Sequence, residues 1–229
     1  QDSYCIEPKY KNNQVELDTV SSSIALVRDN DDLTITGIYV TGYASPEGAF
    51  VYNMKLSERR AKAFTEYMKD DLKAIDPQLY HVDWKGEDWT GLREEVVKRS
   101  DLPKREEVLD IIDHCGDDKD ACEKQLKALV PPTIYQYLLK ELYPAVRRNE
   151  YRIEYNVRHF TVAEGREMIK THPELMSVSE IQQVADSYGK RSPEYVNCLV
   201  SGVKAYPNDV TAVNNAALAL MEANRTDEA

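Results

Sequence analysis

Short strand-like segments are separated by long helix-like segments in this chain of 229 residues. Residues 33–41, LTITGIYVT, are rich in β-branched and aromatic residues and carry apolar side chains at both parities, which indicates a strand covered on both faces. Apolar and polar residues alternate in 80–85, YHVDWK, and in 151–159, YRIEYNVRH, as in strands with one solvated face. This order predicts an α+β fold in which helices pack on a mixed sheet.

The segment after the first strand has the periodicity of a helix. Apolar residues recur at spacings of three and four between Asn53 and Ile75, which predicts an amphipathic helix. We expect Ser57 or Asn53 to cap it, because both residue types accept hydrogen bonds from exposed backbone N–H groups. The apolar stripe consists of Ala61, Phe64, Met68, Leu72 and Ile75.

About sixty residues between the second and third strands also look helical. Four apolar stripes fall within about 88–145, too much sequence for a simple crossover, so we predict a helical insertion. We expect Ser100, Asp101 and Pro103 to provide the cap and first turn of the second helix, and Pro131-Pro132 to stop the third.

The character of the sequence changes from Thr161 onward. Short helical segments are interrupted by Pro173, Gly189, Pro193 and Pro207, and no strand-like alternation occurs. We therefore predict two domains, an α+β domain over 1–160 and a small all-α domain over 161–229.

Charge and hydropathy limit the function classes. The net charge of −11 disfavours nucleic acid as a partner, because such affinity comes largely from Lys and Arg. No run of 18 apolar residues suggests a membrane span. Since Gln1 is not an initiator methionine, we expect a mature or trimmed chain whose targeting segment has been removed.

The four cysteines, Cys5, Cys115, Cys122 and Cys198, fit neither a dense disulfide framework nor a CxxC metal site. Cys115 and Cys122 bracket the polar turn GDDKDA. A disulfide that closes this turn in an oxidising compartment and a pair of small buried side chains at helix ends are both compatible with the sequence.

The sequence predicts neither an enzyme nor a metal or cofactor site. The histidines, His81, His114, His159 and His172, are scattered without metal-ligand spacing, and no nucleophile elbow, phosphate loop or dinucleotide fingerprint is present. The carboxylates Asp117, Asp118 and Asp120 lack the later residues of an EF-hand loop, so we expect them to cap the following helix.

Residues 42–64, GYASPEGAFVYNMKLSERRAKAF, resemble the OmpA-like domain of Gram-negative envelope proteins. The family signature is a Gly-rich loop after a central strand, followed by Asn-x-x-Leu-Ser-x-x-Arg-Ala at the start of a helix. Later segments, Gly86-Glu87 and RRNEYRIEYNV, are similar to further elements of the family, so the resemblance covers roughly 10–160 around the insertion. The signature is represented by Asn53, Leu56, Ser57, Arg60 and Ala61.

This resemblance implies a pocket for peptidoglycan, specifically for the diaminopimelate of the stem peptide. In the family, an aspartate in the loop accepts the ammonium group, while the helix arginine, here Arg60, binds the carboxylate. Ser45 occupies the aspartate position, which should cost about 1.5 to 3 kcal/mol of a charge-assisted bond, although Glu47 could supply a carboxylate. Asn53 and Tyr43 complete the expected site. Two alternatives are that Arg60 only anchors the loop carbonyls and that an exposed Tyr43 or Trp89 stacks on a sugar ring.

The C-terminal segment is similar to a tetratricopeptide repeat. Tyr206-Pro207 matches the end of one repeat, and stacked helix pairs of this kind usually bind proteins. The positions that match the next repeat are Val213, Ala216, Ala217, Leu220, Asn224 and Ala229.

Two functional hypotheses follow for a periplasmic or outer-membrane-associated protein of a Gram-negative cell. In the first, the OmpA-like domain associates with peptidoglycan through Arg60, and the helical tail binds envelope proteins. In the second, the chain is an assembly scaffold of an envelope or surface-appendage complex and has lost peptidoglycan binding.

Overall fold

The computed structural model describes Ile6 and residues 12–228, which fold as a mixed α+β protein and confirm the predicted class. The described residues divide into two compact units. The N-terminal unit contains the chain up to Asp31 together with Ile35–Tyr155, and the C-terminal unit contains Asp32–Thr34 together with the chain from Asn156 onward. The assignment of the domains to OmpA-like and tetratricopeptide families stays a prediction.

Within the described residues, one three-stranded sheet has β1 (Leu33–Ala44) at its centre, between β2 (Tyr80–Glu87) and β3 (Asn149–Val157). Strand β2 is parallel to β1, with an irregularity between Gly42 and Tyr43. Strand β3 runs antiparallel, because backbone bonds join Tyr43 to Arg148 at one end and Asp32 to Arg158 at the other. The three predicted strands are confirmed, and the sheet is mixed.

Helix α2 (Phe50–Asp71) connects β1 to β2 and covers one face of the sheet. Its Ala61, Phe64 and Met68 lie in one buried cluster with Ile38 and Val40 of β1. Helix α1 (Asn13–Arg28) adds Leu17 and Ile24 to the same cluster.

The approach between α2 and β1 is closest at Gly42. A Cβ atom at this position would lie 2.4 Å from the Ser57 carbonyl oxygen and 2.8 Å from the Ala61 Cβ. Glycine is therefore required there by space, and the turn of α2 at 57–61 lies directly against the central strand.

The predicted helical insertion is present and has its own apolar core, which includes Leu92, Leu126 and Leu138. The predicted start of its second helix is wrong: α4 begins at Arg105, after Lys104 in the left-handed conformation, and Ser100, Asp101 and Pro103 lie in the preceding turn. The reason is that the Arg105 side chain donates to the carbonyl groups of Val96 and Val97 and fixes this residue at the end of α3. The elements are α3 (Trp89–Lys98), α4 (Arg105–Asp113), α5 (Lys119–Ala128), α6 (Thr133–Tyr137), a π-helical turn (Leu138–Leu142) and α7 (Tyr143–Val146).

Cys115 and Cys122 form a disulfide with a Cα–Cα distance of 5.7 Å, so the first of the two alternatives for this pair holds. The bond joins the residues after α4 to the first turns of α5. Asp118 caps α5 as expected, because its carboxylate accepts the Ala121 N–H at 2.9 Å.

The C-terminal unit is helical from residue 162 to 228, with successive helices packed on one another. Its core contains Ile181, Val184 and Leu199, and Ala216 and Leu220 of the repeat-like positions are also buried. Val213 is partly exposed, and Ala229 lies outside the described residues. The helices are α8 (Val162–Thr171), α9 (Val178–Asp186), α10 (Pro193–Ala205) and α11 (Val210–Glu222).

Candidate functional site

The loop at residues 45–49 joins β1 to α2 and contains two of the expected site residues. Ser45 is buried, and its hydroxyl accepts a hydrogen bond from Nε of Arg147 at 3.0 Å. The Glu47 carboxylate pairs with Nη2 of the same arginine at 2.6 Å. Arg147, which lies between α7 and β3, thus puts a cation where the family resemblance implies a ligand ammonium group.

The backbone N–H groups of this loop and of the first turn of α2 are also engaged. Gly48 donates to Oε1 of Glu123 at 2.9 Å, and Phe50 donates to Oδ1 of Asp120 at 2.8 Å. Both carboxylates belong to α5, and they are 75 and 70 residues away in sequence. Carboxylates are favoured at such a helix start, because the N–H groups there have no intrahelical acceptor.

Glu123 is buried and has further partners within the insertion. The same Oε1 accepts the Tyr135 hydroxyl at 3.0 Å, and Oε2 pairs with Nζ of Lys127 at 2.7 Å. Burial and then the hydrogen bond to Glu123 raise the pKa of Tyr135, so this phenol remains a donor at neutral pH. Glu123 is therefore held in place from two sides.

The expected caps of α2, Asn53 and Ser57, are wrong. The helix begins at Phe50, after an Ala49 without a capping side chain, and Asn53 and Ser57 are both buried inside it. The start lies one turn earlier than predicted because α5, rather than α2 itself, supplies the acceptors.

Asn53 and Ser57 instead connect α2 to its surroundings. Nδ2 of Asn53 donates to the Glu47 carbonyl at 2.9 Å and to Oε1 of Glu87 at 2.8 Å. Oγ of Ser57 accepts the Gly86 N–H at 3.0 Å. These bonds fix the loop and the end of β2 against the helix.

Glu87 is a buried acid beside the loop. Its second oxygen accepts Nε1–H of Trp89 at 2.8 Å. Burial raises the pKa of Glu87 above its ordinary value; the hydrogen bonds from Asn53 and Trp89 lower it in part, and the charges of Asp120 and Glu123 raise it further. Three carboxylates from two elements, β2 and α5, thus surround the start of α2.

Tyr43 lies in a neighbouring network rather than with the loop residues. Its hydroxyl donates to Glu150 at 3.2 Å, and the Arg148 guanidinium lies over its ring at 5.1 Å. Arg148 also binds the buried Asp88 and Glu150, at 2.8 Å each. Burial, with the charges of Glu150 and Asp88, raises the pKa of Tyr43.

An open pocket of about 560 Å³ lies beside this network. Arg148 covers one face of Tyr43, and Trp89 is buried with Lys119 over its ring, while sugar stacking on either residue stays a prediction. The pocket is lined by Tyr43, Lys85, Asp88, Trp89, Lys119 and Arg148, among others.

Arg60 is half-buried and lies in the turn of α2 that packs against Gly42. It follows Phe50 by ten positions, which corresponds to about 15 Å along the helix axis. The structure thus brings Ser45, Glu47 and Asn53 together and places Tyr43 in the neighbouring network of Arg148 and Glu150. Contact of any of the five with a stem peptide stays a prediction.

Three residues that contact this loop were not predicted as its partners, namely Asp120, Glu123 and Arg147. One signal pointed to a partner of this kind: no residue from Gly48 to Tyr52 has a side chain suited to cap a helix. The sequence does not show that α5 supplies the acceptors, because Asp120 lies 70 residues from Phe50.

Comparison with known proteins gives one partial similarity that bears on the role of the chain. No model of a known protein family matches it. A segment of 50 residues is 46% identical to outer membrane protein 41 of Porphyromonas gingivalis (strain ATCC BAA-308 / W83); it makes up 22% of this chain and 12% of that protein. This similarity to a small part of an outer membrane protein indicates a cell-envelope role.

Two structural findings accompany this result. Among residues 12–228 and Ile6, no helix has the length and apolar character needed to cross a bilayer. The same described residues contain no cluster of three or more His, Cys, Asp or Glu side chains with the geometry of a metal site.

Proposed function

We propose that this chain is a non-catalytic scaffold module of the Gram-negative envelope, in the periplasm or associated with the outer membrane, whose loop at 45–49 is closed by its own side chains. One observation carries the proposal: Arg147, Asp120 and Glu123 occupy the loop's polar groups. The similarity to an outer membrane protein and a disulfide of the kind that persists in an oxidising compartment support the location.

The energetics favour a closed loop over a wall-binding loop. A zwitterionic ligand needs an anion for its ammonium group and donors for its carboxylate. At the loop, Arg147 engages the Glu47 carboxylate, and Glu123 and Asp120 engage the N–H groups of Gly48 and Phe50. Displacing two charge-assisted bonds of about 1.5 to 3 kcal/mol each would weaken binding by roughly two to four powers of ten.

The scaffold role is supported by the C-terminal unit. Helix α11 buries Ala216 and Leu220, while Val210, Leu218 and Met221 on its other side are largely exposed. Exposed apolar side chains on a helical stack are typical of protein-binding surfaces.

Co-sedimentation with purified Gram-negative sacculi tests the closed loop. We expect the wild-type chain to stay in the supernatant, alongside an OmpA-like domain with an intact loop aspartate that pellets. Pelleting of the wild-type chain would contradict the proposal.

Cross-linking in envelope extracts, followed by mass spectrometry, tests the scaffold role. Leu218→Glu should abolish specific cross-links. Leu26→Glu, the same substitution at an exposed leucine of α1, should retain them. Equal recovery with both variants would count against α11 as the binding surface.

The second candidate is peptidoglycan association through Arg60, assisted by Ser45, Glu47, Asn53 and Tyr43. It is favoured by the half-buried position of Arg60 in a turn that close packing against Gly42 holds in place. In this case the wild-type chain pellets with sacculi, Arg60→Ala abolishes pelleting, and Arg59→Ala, a substitution at the exposed neighbouring residue, retains it.

A further inference from the structure

The disulfide lies next to the two carboxylates that close the loop. Cys122 immediately precedes Glu123 and follows Asp120 by two positions, within the first turn and a half of α5. The bond links this part of α5 to Cys115, just beyond α4, across a separation of seven residues. The segment that supplies Asp120 and Glu123 is thus the segment that the disulfide restrains.

The rest of α5 is attached independently. Leu126 is fully buried in the core of the insertion. The Glu123 carboxylate accepts a hydrogen bond from Tyr135, which packs against the same core. Loss of the disulfide would therefore loosen the first turn of α5, which carries Asp120, without releasing the helix as a whole.

We infer that the Cys115–Cys122 disulfide is a redox-sensitive lock that keeps Asp120 on the Phe50 N–H group. This inference rests on the proposed closed loop and adds a means of opening it. Opening exposes the Phe50 N–H at the start of α2, and an N–H group at a helix start binds carboxylates.

The chemistry is thiol–disulfide exchange with a dithiol reductant. One reductant thiolate attacks the Cys115 sulfur, which is partly exposed, and the S–S bond breaks with Cys122 leaving as the thiolate. The second reductant thiol then displaces Cys115, so that the reductant becomes a disulfide and the protein holds two thiols. Nζ of Lys119 lies 3.7 Å from the Cys115 sulfur, so its positive charge stabilises the Cys115 thiolate that leaves in the second step.

Hydrogen exchange of the full chain, with and without a dithiol reductant, tests the lock. A Cys5→Ser/Cys198→Ser background leaves Cys115 and Cys122 as the reacting pair. We expect the Phe50 amide to exchange at least about tenfold faster after reduction, because its acceptor Asp120 leaves more often. Amides in the middle of β1 and in α10 should not change.

A second pair of variants separates the lock from general destabilisation. In the oxidised protein, Asp120→Asn should reproduce the faster exchange at Phe50, whereas Asp117→Asn, on the exposed turn, should not. Unchanged loop exchange after reduction overturns the lock. Equal acceleration throughout β1 also overturns it, because the disulfide would then stabilise the whole N-terminal unit and not the loop in particular. Sacculus binding by the oxidised protein would instead refute the closed loop itself, whatever the exchange result.

Discussion

Helix α2 and helix α8 begin in opposite ways. Helix α8 carries its own capping box: the Thr161 hydroxyl accepts the Glu164 N–H at 3.3 Å, and the Glu164 carboxylate accepts the Thr161 N–H at 2.9 Å. Helix α9 repeats this arrangement with Ser177 and Glu180. Helix α2 has an alanine at the same position and takes its acceptors from α5.

The difference separates two kinds of helix start. A local capping box forms wherever its four residues become helical, so α8 and α9 start independently of distant parts of the chain. The start of α2 instead depends on acceptors from the insertion, Asp120 and Glu123 of α5. Mutations at these two kinds of start should therefore differ in size, in reach and in their dependence on pH.

The largest expected effect is that of Gly42→Ala, because the new Cβ would meet a backbone oxygen of α2 that cannot move alone. We expect the free energy of unfolding to fall by roughly 3 kcal/mol. Urea unfolding followed by tryptophan fluorescence measures it, since Trp84 and Trp89, the two tryptophans, both lie in the N-terminal unit.

Gly165→Ala in α8 is the matched control for Gly42→Ala, with its stability followed by hydrogen exchange of the C-terminal unit, which contains no tryptophan. Its Cβ would meet side-chain atoms, Val184 Cγ2 and the terminal methyl of Met176, rather than backbone, and alanine is favoured in a helix by about 1 kcal/mol. An equal loss of stability in both variants would show that the close approach of α2 to β1 does not make Gly42 more sensitive to substitution than Gly165.

The next effect is that of Glu123→Ala, which leaves the Gly48 N–H and the Tyr135 hydroxyl without this acceptor. We expect a loss of about 2 kcal/mol in the free energy of unfolding of the N-terminal unit, measured by the same fluorescence titration. Glu66→Ala, at an exposed ion pair with Lys69 on α2, should change it by less than about 0.5 kcal/mol. Similar values for the two variants would mean that α5 does not support the loop.

A smaller effect is expected for Thr161→Ala, which removes one half of a capping box. The loss should be about 1 kcal/mol and should be confined to the C-terminal unit, because every bond of the box is local. Hydrogen exchange of the first turn of α8 measures it, with Thr171→Ala at the other end of the helix as control. Faster exchange at Gly48 or Phe50 in this variant would contradict the independence of the two starts.

The pH dependence of the α2 start follows from Glu87. Its pKa is raised above the ordinary 4.5 by burial, so the unfolded chain ionises first and the N-terminal unit loses stability as the pH rises above 4.5. Glu87→Gln should remove this decline, as measured by urea titrations between pH 4 and 7. A decline of the same size in the variant would show that another group causes it.

The smallest effect has the opposite sign and belongs to α8. Bonds from the Thr161 N–H, from Arg158 and from the Thr161 hydroxyl lower the pKa of Glu164 to about 2. The stabilisation is therefore complete above the unfolded pKa of 4.5 and is lost as the pH falls toward 2. Glu164→Gln should reduce the loss of α8 stability at acid pH, as measured by hydrogen exchange of this helix. The same loss in the variant would show that Glu164 is not its cause.

The elements that the sequence predicts correctly are those whose signals are local. The alternation in 151–159 and the β-branched run in 33–41 identify strands, and the stripe from Ala61 to Met68 identifies the buried face of α2, because periodicity depends only on neighbouring residues. Helix starts were predicted less well. The residue types of Asn53 and Ser57 suggested helix caps, but both side chains are buried within α2 and form hydrogen bonds with the end of β2.

The arrangement at the loop could not be predicted, because its bonds join residues far apart in sequence. Asp120 was expected to cap its own helix, whereas Asp118 has that role and Asp120 reaches α2. Arg147 reaches Ser45 across about a hundred positions. Only the folding of the insertion onto the loop brings these charges together.

The position of Arg147 determines what an aspartate at position 45 would do. Such an aspartate would find a resident guanidinium within hydrogen-bonding distance and would form an internal ion pair with it. The single substitution Ser45→Asp would therefore strengthen the closure of the loop instead of creating a vacant anionic receptor.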